Sequence, residues 1–270
     1  MVEQLICNHQ VESSNPSVGT KDMIVIGGCS WSDPNWKCES DVNFDTSFSK
    51  WYELLDTDKE IKSIARSGSG NQSQIELLIN EIKTNDKVTD IIFGLSDWLR
   101  FSIYHKKINP QLSLREDLSD DQKRHAKKQD DIVNVRNLNW QDYIPASIQT
   151  NLTYLHALSD VCDKHDILLH VFQMLRVSGI NDHVDSKYYK SLCTHPLFDK
   201  LEDTNMDLIG LPWIEWLNGV NMNHYIHENE PHDKAWRVSE HDMHPNKHGH
   251  QAIADYINKN ITWRTSAMPN

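Results

Sequence analysis

Ser30 lies in the run Gly27-Gly28-Cys29-Ser30-Trp31-Ser32. A serine hydroxyl is a poor nucleophile at neutral pH. It becomes a useful one when an imidazole takes its proton and a carboxylate orients that imidazole. The glycines before it permit a sharp turn that presents the hydroxyl outward and leaves the Ser30 backbone N–H available to a developing oxyanion. An imidazole and a carboxylate stand together in Asp242-Met243-His244-Pro245-Asn246. Each motif taken alone has a plainer reading, a Gly-Ser turn and a solvated helix cap.

Two further runs carry polar groups suited to such a site. In Ser67-Gly68-Ser69-Gly70-Asn71, a glycine-rich turn at a helix start exposes backbone N–H groups that can hold an anion, whether a phosphate or a tetrahedral oxyanion. In Gly94-Leu95-Ser96-Asp97-Trp98, a side-chain donor could complete an oxyanion pocket and Asp97 could cap the next segment.

The surrounding elements place all four runs at strand ends or at a helix start. Met23 to Ile26 is a short apolar run closed by glycines, which predicts a buried strand entering a tight turn. Phe48, Trp51, Tyr52 and Leu55 fall at helical spacing. A strand over 60–65 is followed by a helix carrying Ile75, Leu78, Ile79 and Ile82, then a strand from Val88 to Phe93. A helix over 142–165, a strand from Ile167 to Phe172 and a last helix from Pro245 to about Asn260 complete the order. Pro245 suits a first helical position, which leaves His244 at or near the cap and able to point into the crevice. Alternating strands and helices imply an α/β fold with a parallel sheet covered on both faces. Residues 105–139 are polar and charge-mixed and read as an insertion outside the core; residues 175–240 read as loops near the site. Residues 1–22 read as a polar extension before one domain over 23–270.

Together, in this order and placement, the four runs resemble the block pattern of the SGNH/GDSL hydrolase superfamily, over roughly residues 23–104 and 236–260. The stretch from Trp51 through Leu54-Leu55, Ile64-Ala65 and Gly68 to Asn71 is similar to the linking region of those proteins. The resemblance implies a three-layer, flavodoxin-like α/β/α fold and an esterase that works through an acyl-enzyme. It implies Ser30 as nucleophile, His244 as base and Asp242 as its partner, with Ser30, Gly68, Ser96 and Asn71 as candidates for the oxyanion hole. Three positions depart from the pattern. Cys29 replaces the usual aspartate, Ser96 replaces an asparagine whose amide is longer, and the spacing is Asp-x-His where Asp-x-x-His is commonest. Glu240 is therefore a reserve partner for His244, and Asn71 or a water a reserve donor.

The bulk composition narrows the alternatives. A formal charge of -12 argues against a nucleic-acid surface, which needs clustered Lys and Arg. No apolar run approaches the roughly 20 residues of a membrane span. The acidic and polar start lacks the pattern of a secretory signal, so a cytoplasmic or otherwise non-exported protein is expected. Five cysteines at irregular spacing favour free thiols, with a Cys29–Cys38 disulfide as the alternative.

His224, His227, His232, His241, His244, His248 and His250 are numerous but lack a recognised ligand spacing, so no metal is expected and most should be surface or loop residues. The 67–71 turn lacks the Lys-Ser/Thr ending of a P-loop and the spacing of a dinucleotide site, so no cofactor is expected either. Trp31, Trp36 and Trp98 flank the candidate site; besides packing, they suggest stacking on a sugar ring and so a glycan ester beside small-molecule esters. The reading from a different class is a binding or structural module that keeps the fold with a weakened oxyanion hole.

Overall fold

A computed structural model describes residues 22–38, 41, 43–103, 106–108, 120–130, 139–175, 191–192, 194–201, 203–209, 222–232, 235–239, 242–261 and 263. Five strands form one parallel sheet: β1 (Met23–Gly27), β2 (Glu60–Ser63), β3 (Val88–Leu95), β6 (Leu168–Gln173) and β7 (Asp207–Leu208), in the order β2-β1-β3-β6-β7. Between β3 and β6, β4 (Phe101–Ile103) and β5 (Lys106–Ile108) pair antiparallel as a separate ribbon.

The inner strands β1, β3 and β6 are mostly apolar because both faces are covered, whereas β2 and β7 at the edges are partly exposed and polar. Successive side chains of one strand enter different cores: Met23 and Val25 join one cluster, Ile24 and Ile26 the other. On β3, Ile91, Phe93 and Leu95 face the first cluster and Ile92 the second. The first layer is built by α1 (Asn71–Thr84) and α3 (Trp140–Lys164), which pack on each other. The opposite layer contains α6 (Lys247–Asn260), through Ile253, Ala254 and Ile257, and α5 (Met222–Asn229) beside it. Burying one such isoleucine contributes about 1.5–3 kcal/mol. The architecture is therefore the three-layer α/β/α expected from the alternation of elements. Its strand order is the flavodoxin-like one, with a switch of winding direction between β1 and β3.

Several boundaries differ from the sequence expectation. The helix expected around Phe48 is a single 3-10 turn, Trp51–Leu54. Trp51, Tyr52 and Leu55 are buried while Phe48 stays half-exposed, so core packing fixes a short turn and not a full helical face. The last helix is capped by Asn246, not His244: the Asn246 side chain accepts from the His248 and Gly249 N–H groups. Residues 175–240 contain more order than loops alone. They include the short helix α4 (Pro196–Asp199), the edge strand β7 and α5.

Within 105–139 the described parts are β5 and the helix α2 (Asp120–Asp130). Residues 1–21, Glu240 and His241 lie outside the described residues. Cys29, Cys38 and Cys162 are free thiols, which replaces the alternative disulfide, and Cys7 and Cys193 lie outside the described residues. Among the described residues no helix is long and apolar enough to cross a membrane.

Candidate active site

The turns after β1, β2 and β3 meet at the carboxyl ends of the strands, beside the switch point where α/β sheets open a crevice. Gly28 follows β1 with φ 153°, a backbone conformation that favours glycine, and a Cβ there would come within 3.0 Å of Ser32 Oγ and 3.3 Å of the Gly94 carbonyl oxygen. The chain therefore turns tightly against the end of β3. Its Gly28 N–H donates to Gln74 Oε1 at 3.1 Å, an anchor supplied by the first turn of α1. Cys29, Trp31 and Ser32 are buried on either side, leaving Ser30 half-exposed.

The turn after β2 is tied to the same place. Arg66 N–H donates to the Gly28 carbonyl at 3.4 Å. Ser67 N–H and Oγ–H both donate to Asp33 Oδ2, at 2.7 and 2.6 Å. Gly68, with φ 70°, is thereby held beside the Ser30 turn in a left-handed conformation that suits glycine.

His244 reaches Ser30 from 214 positions away: Nε2 lies 2.8 Å from Ser30 Oγ, and Nδ1 lies 2.6 Å from Asp242 Oδ1. A carboxylate can only accept, so Nδ1 carries the ring proton and Nε2 offers its lone pair to the Ser30 hydroxyl. The two-residue spacing works because Asp242 Oδ1 also accepts the His244 backbone N–H at 3.1 Å, folding the Asp242–His244 segment back on itself. The Cys38 thiol donates to the other Asp242 oxygen at 3.6 Å. The segment itself is pinned by pairing of Val238 N–H to the His244 carbonyl (2.9 Å) and Asn246 N–H to the Trp236 carbonyl (2.9 Å). Trp236 N–H and Arg237 Nε in turn donate to Glu230, at 2.7 and 2.8 Å.

A second imidazole nearby has a different part. His250 is 2% exposed, and its Nδ1 accepts the Trp51 N–H at 3.2 Å. Burial, with the charges of Lys50 and His244 adding to it, pushes its pKa down to about 3, so the ring stays neutral. His250 is thus a buried structural residue, unlike the surface role expected for most histidines of this segment.

The oxyanion candidates divide. Ser30 and Gly68 sit on the two joined turns with their backbone N–H groups. Asn71 is corrected: it is 1% exposed, its Oδ1 accepts the Ser96 N–H at 2.7 Å, and its Nδ2 donates to Asn151 Oδ1 (3.0 Å) and the Ser96 carbonyl (3.4 Å). That amide braces the end of β3 and has no hydrogen left to give. Ser96 is likewise 1% exposed, with its Oγ accepting from Arg100 Nη1 at 3.1 Å. Asp97 does cap the next segment, accepting the Leu99 N–H at 2.9 Å.

The sugar-stacking expectation for the three tryptophans is also corrected. Trp31, Trp36 and Trp98 are 3%, 8% and 1% exposed, too buried to offer a ring face to a sugar. Trp98 Nε1 donates to Gln173 Oε1 at 3.0 Å, and Trp36 stacks on His244. Among the described residues no group of three or more His, Cys, Asp or Glu side chains is arranged to hold a metal.

Sequence reasoning does not single out Gln74, Asp33 or Arg100, and it marks Cys38 as half of an alternative disulfide and not as a neighbour of Asp242. For Gln74 a signal existed, a polar residue within the apolar stripe of α1 beside Ile75 and Leu78. The others gave none.

No family model matches the sequence, and no curated protein sequence matches it. Two solved structures are similar over most of the chain. One is a G-D-S-L family protein from Desulfitobacterium hafniense DCB-2, 10% identical, with 89% of this chain and 100% of that chain covered and a TM-score of 0.48. The other is the psychrotrophic esterase EstA from Pseudoalteromonas sp., in a structure inhibited by monoethylphosphonate, 14% identical, with 89% and 96% covered and a TM-score of 0.48.

Proposed function

We propose that this protein is a serine hydrolase that cleaves esters with a short acyl group, O-acetyl esters among them, through an acyl-enzyme on Ser30. The observation that carries this reading is the unbroken hydrogen-bond chain Ser30 Oγ, His244 Nε2, His244 Nδ1, Asp242 Oδ1, with links of 2.8 and 2.6 Å across the imidazole.

In this reading Ser30 Oγ attacks the acyl carbon while His244 Nε2 takes its proton, and Asp242 holds the resulting imidazolium in register. The carbonyl π pair moves onto oxygen, where the N–H groups of Ser30 and Gly68 receive it. The alcohol leaves with the His244 proton as the carbonyl re-forms. A water then attacks the acyl-Ser30 ester with His244 again as base, releasing the acid and restoring the hydroxyl. Burial of the flanking tryptophans removes the support for a carbohydrate alcohol, so the substrate is taken to be an ester of a small alcohol.

The test uses p-nitrophenyl acetate and butyrate with the wild type and Ser30→Ala, alongside a fluorophosphonate probe read by intact mass. Hydrolysis and a single adduct on Ser30 in the wild type, both absent in the variant, are expected. Equal rates for the two proteins would remove Ser30 from the mechanism, and a wild type that neither hydrolyses the esters nor labels would favour a non-catalytic binding module.

A further inference from the structure

The site as described lacks a side-chain donor on the β3 side. Ser96 stands where the resembling pattern has an asparagine, its hydroxyl has a shorter reach than an amide, and Asn71 is spent internally. Two backbone N–H groups would then carry the whole developing charge.

Arg100 borders that gap. The nucleophile turn rides on the end of β3, as the close approach of Gly28 to the Gly94 carbonyl shows. Two residues beyond Gly94, Ser96 Oγ accepts from Arg100 Nη1. The Arg100 backbone is wedged against the turn after β2: a Cβ on Gly70 would lie 2.6 Å from the Arg100 carbonyl oxygen and 3.2 Å from Arg100 Cβ. Arg100 therefore touches two of the three turns, and the third packs against the strand end it caps.

Its guanidinium gives Nη1 to Ser96 and faces the buried Asp97 carboxylate as an ion pair, with Nε 3.8 Å from Asp97 Oδ2. That distance is beyond hydrogen-bond range, and among the described residues the buried Nε has no hydrogen-bond partner. A guanidinium has five N–H donors, and a buried one left unbonded is costly. The charge is felt at the nucleophile turn itself: burial raises the pKa of the Cys29 thiol, and Arg100 is the charge that opposes the rise.

We propose that Arg100 is a further catalytic residue, donating from its guanidinium to the oxyanion formed when Ser30 attacks the acyl carbon, with Ser96 as the positioning residue that holds Nη1. The proposal rests on the Ser30 mechanism above. Arg100 gives no proton away in it: the guanidinium stays charged throughout, hydrogen-bonds the oxygen while that oxygen carries the extra electron pair, and releases it when the carbonyl re-forms. A charge-assisted donor is roughly twice as strong as a neutral one, so a guanidinium is a strong replacement for the missing amide.

The experiment measures kcat and KM on p-nitrophenyl butyrate for the wild type, Arg100→Met, Arg100→Ala and Ser96→Ala, with Ser30 labelling and thermal unfolding recorded for each. A wild type that neither turns over nor labels overturns the Ser30 reading and this proposal with it. Given turnover, Arg100→Met is expected to lose about 10²–10³ in kcat with KM little changed, the loss typical of one oxyanion donor. Ser96→Ala is expected to lose less, and millimolar guanidinium to restore part of the Arg100→Ala rate, which a merely structural role would not allow. Wild-type kcat in Arg100→Met would overturn the proposal. So would a loss confined to KM, or to an anionic ester such as p-nitrophenyl hemisuccinate, which would make Arg100 a binder of substrate carboxylate.

Discussion

Trp36 lies against the imidazole of His244, with ring centroids 4.7 Å apart and 25° between the planes. The indole is a wall that limits where the imidazole can swing, while Asp242 fixes its rotation from the Nδ1 edge. The ammonium of Lys50 lies 5.3 Å from the same indole, so Trp36 is itself held in place.

Trp36→Ala should therefore lower kcat by about 10- to 100-fold, the scale of a misplaced reacting group. It should also destabilise the fold by about 3 kcal/mol through the cavity left behind. Trp36→Phe keeps a flat wall and should retain most of the rate. Ester turnover measured well below each variant's unfolding temperature separates the two effects; an unchanged kcat in Trp36→Ala would show that Asp242 alone orients the ring.

Asp242→Asn should cost about 10⁴ in kcat with little change in thermal stability, because an amide can donate to Nδ1 and hold the wrong tautomer. Cys38→Ala should cost far less, since its thiol is a weak donor at 3.6 Å from the opposite carboxylate oxygen. Comparing the two variants on one ester checks this order. A Cys38→Ala loss as large as that of Asp242→Asn would contradict it.

Gly249→Ala opposes helix propensity to packing. Propensity alone favours alanine in a helix by about 1 kcal/mol. In α6, however, a Cβ at Gly249 would lie 2.2 Å from the Trp236 carbonyl oxygen, the same oxygen that accepts the Asn246 N–H. Backbone must move, so a net destabilisation of about 1–3 kcal/mol is expected. Because Asn246 lies two residues beyond His244, the proposed base, kcat should fall as well. A urea midpoint above that of the wild type would show that the Trp236 strand yields without cost.

Toward the amino ends of the strands, away from Ser30, five polar groups meet around the buried Asp90 and His170. Lys59 Nζ lies 2.5 Å from Asp90 Oδ2, Thr89 Oγ1 donates to the same oxygen at 2.6 Å, and His170 lies 2.6 Å from Asp207 through Nδ1 and 3.6 Å from Asp90 through Nε2. Burial by itself would lower the His170 pKa, but hydrogen bonding to Asp207 and the charges of Asp207 and Asp90 outweigh it and raise it. Burial would raise the Asp90 pKa, but His170, Lys59 and Thr89 outweigh it and lower it.

The His170 contribution is thus complete below the unfolded imidazole value of about 6.5 and is lost as pH rises through the raised folded value. The Asp90 contribution is complete above the unfolded carboxylate value of about 3.9 and is lost as pH falls through the lowered folded value. Urea midpoints should form a plateau between those unfolded values and decline on the alkaline side, and His170→Gln should flatten that alkaline decline. An alkaline slope identical in His170→Gln would assign it to other groups.

Much of this architecture was legible from local pattern. A strand covered on both faces is mostly apolar, so β1, β3 and β6 stand out as apolar runs broken only by polar residues such as Thr89, Asp90, His170 and Gln173, and α1, α3 and α6 stand out by their apolar stripes. The pattern misled where burial is local: Trp51, Tyr52 and Leu55 are core residues on a 3-10 turn, and their spacing imitates a helix face. It was silent on β7, where two residues leave no period to read.

Within the site, the sequence by itself determined the turn glycines, the serine they present and the Asp-x-His segment, because φ/ψ limits and side-chain chemistry act over a few neighbouring residues. Only the tertiary structure decided that Trp36 stacks on His244 and not on a ligand, that Asn71 is spent on Ser96 and Asn151, that Asp33 ties the Ser67 turn to the Ser30 turn, and that Arg100 reaches Ser96. Those pairings depend on where separate strands and helices come to rest against one another. A hydrogen bond or ring contact forms over a few ångströms between groups whose separation along the chain carries no trace of it.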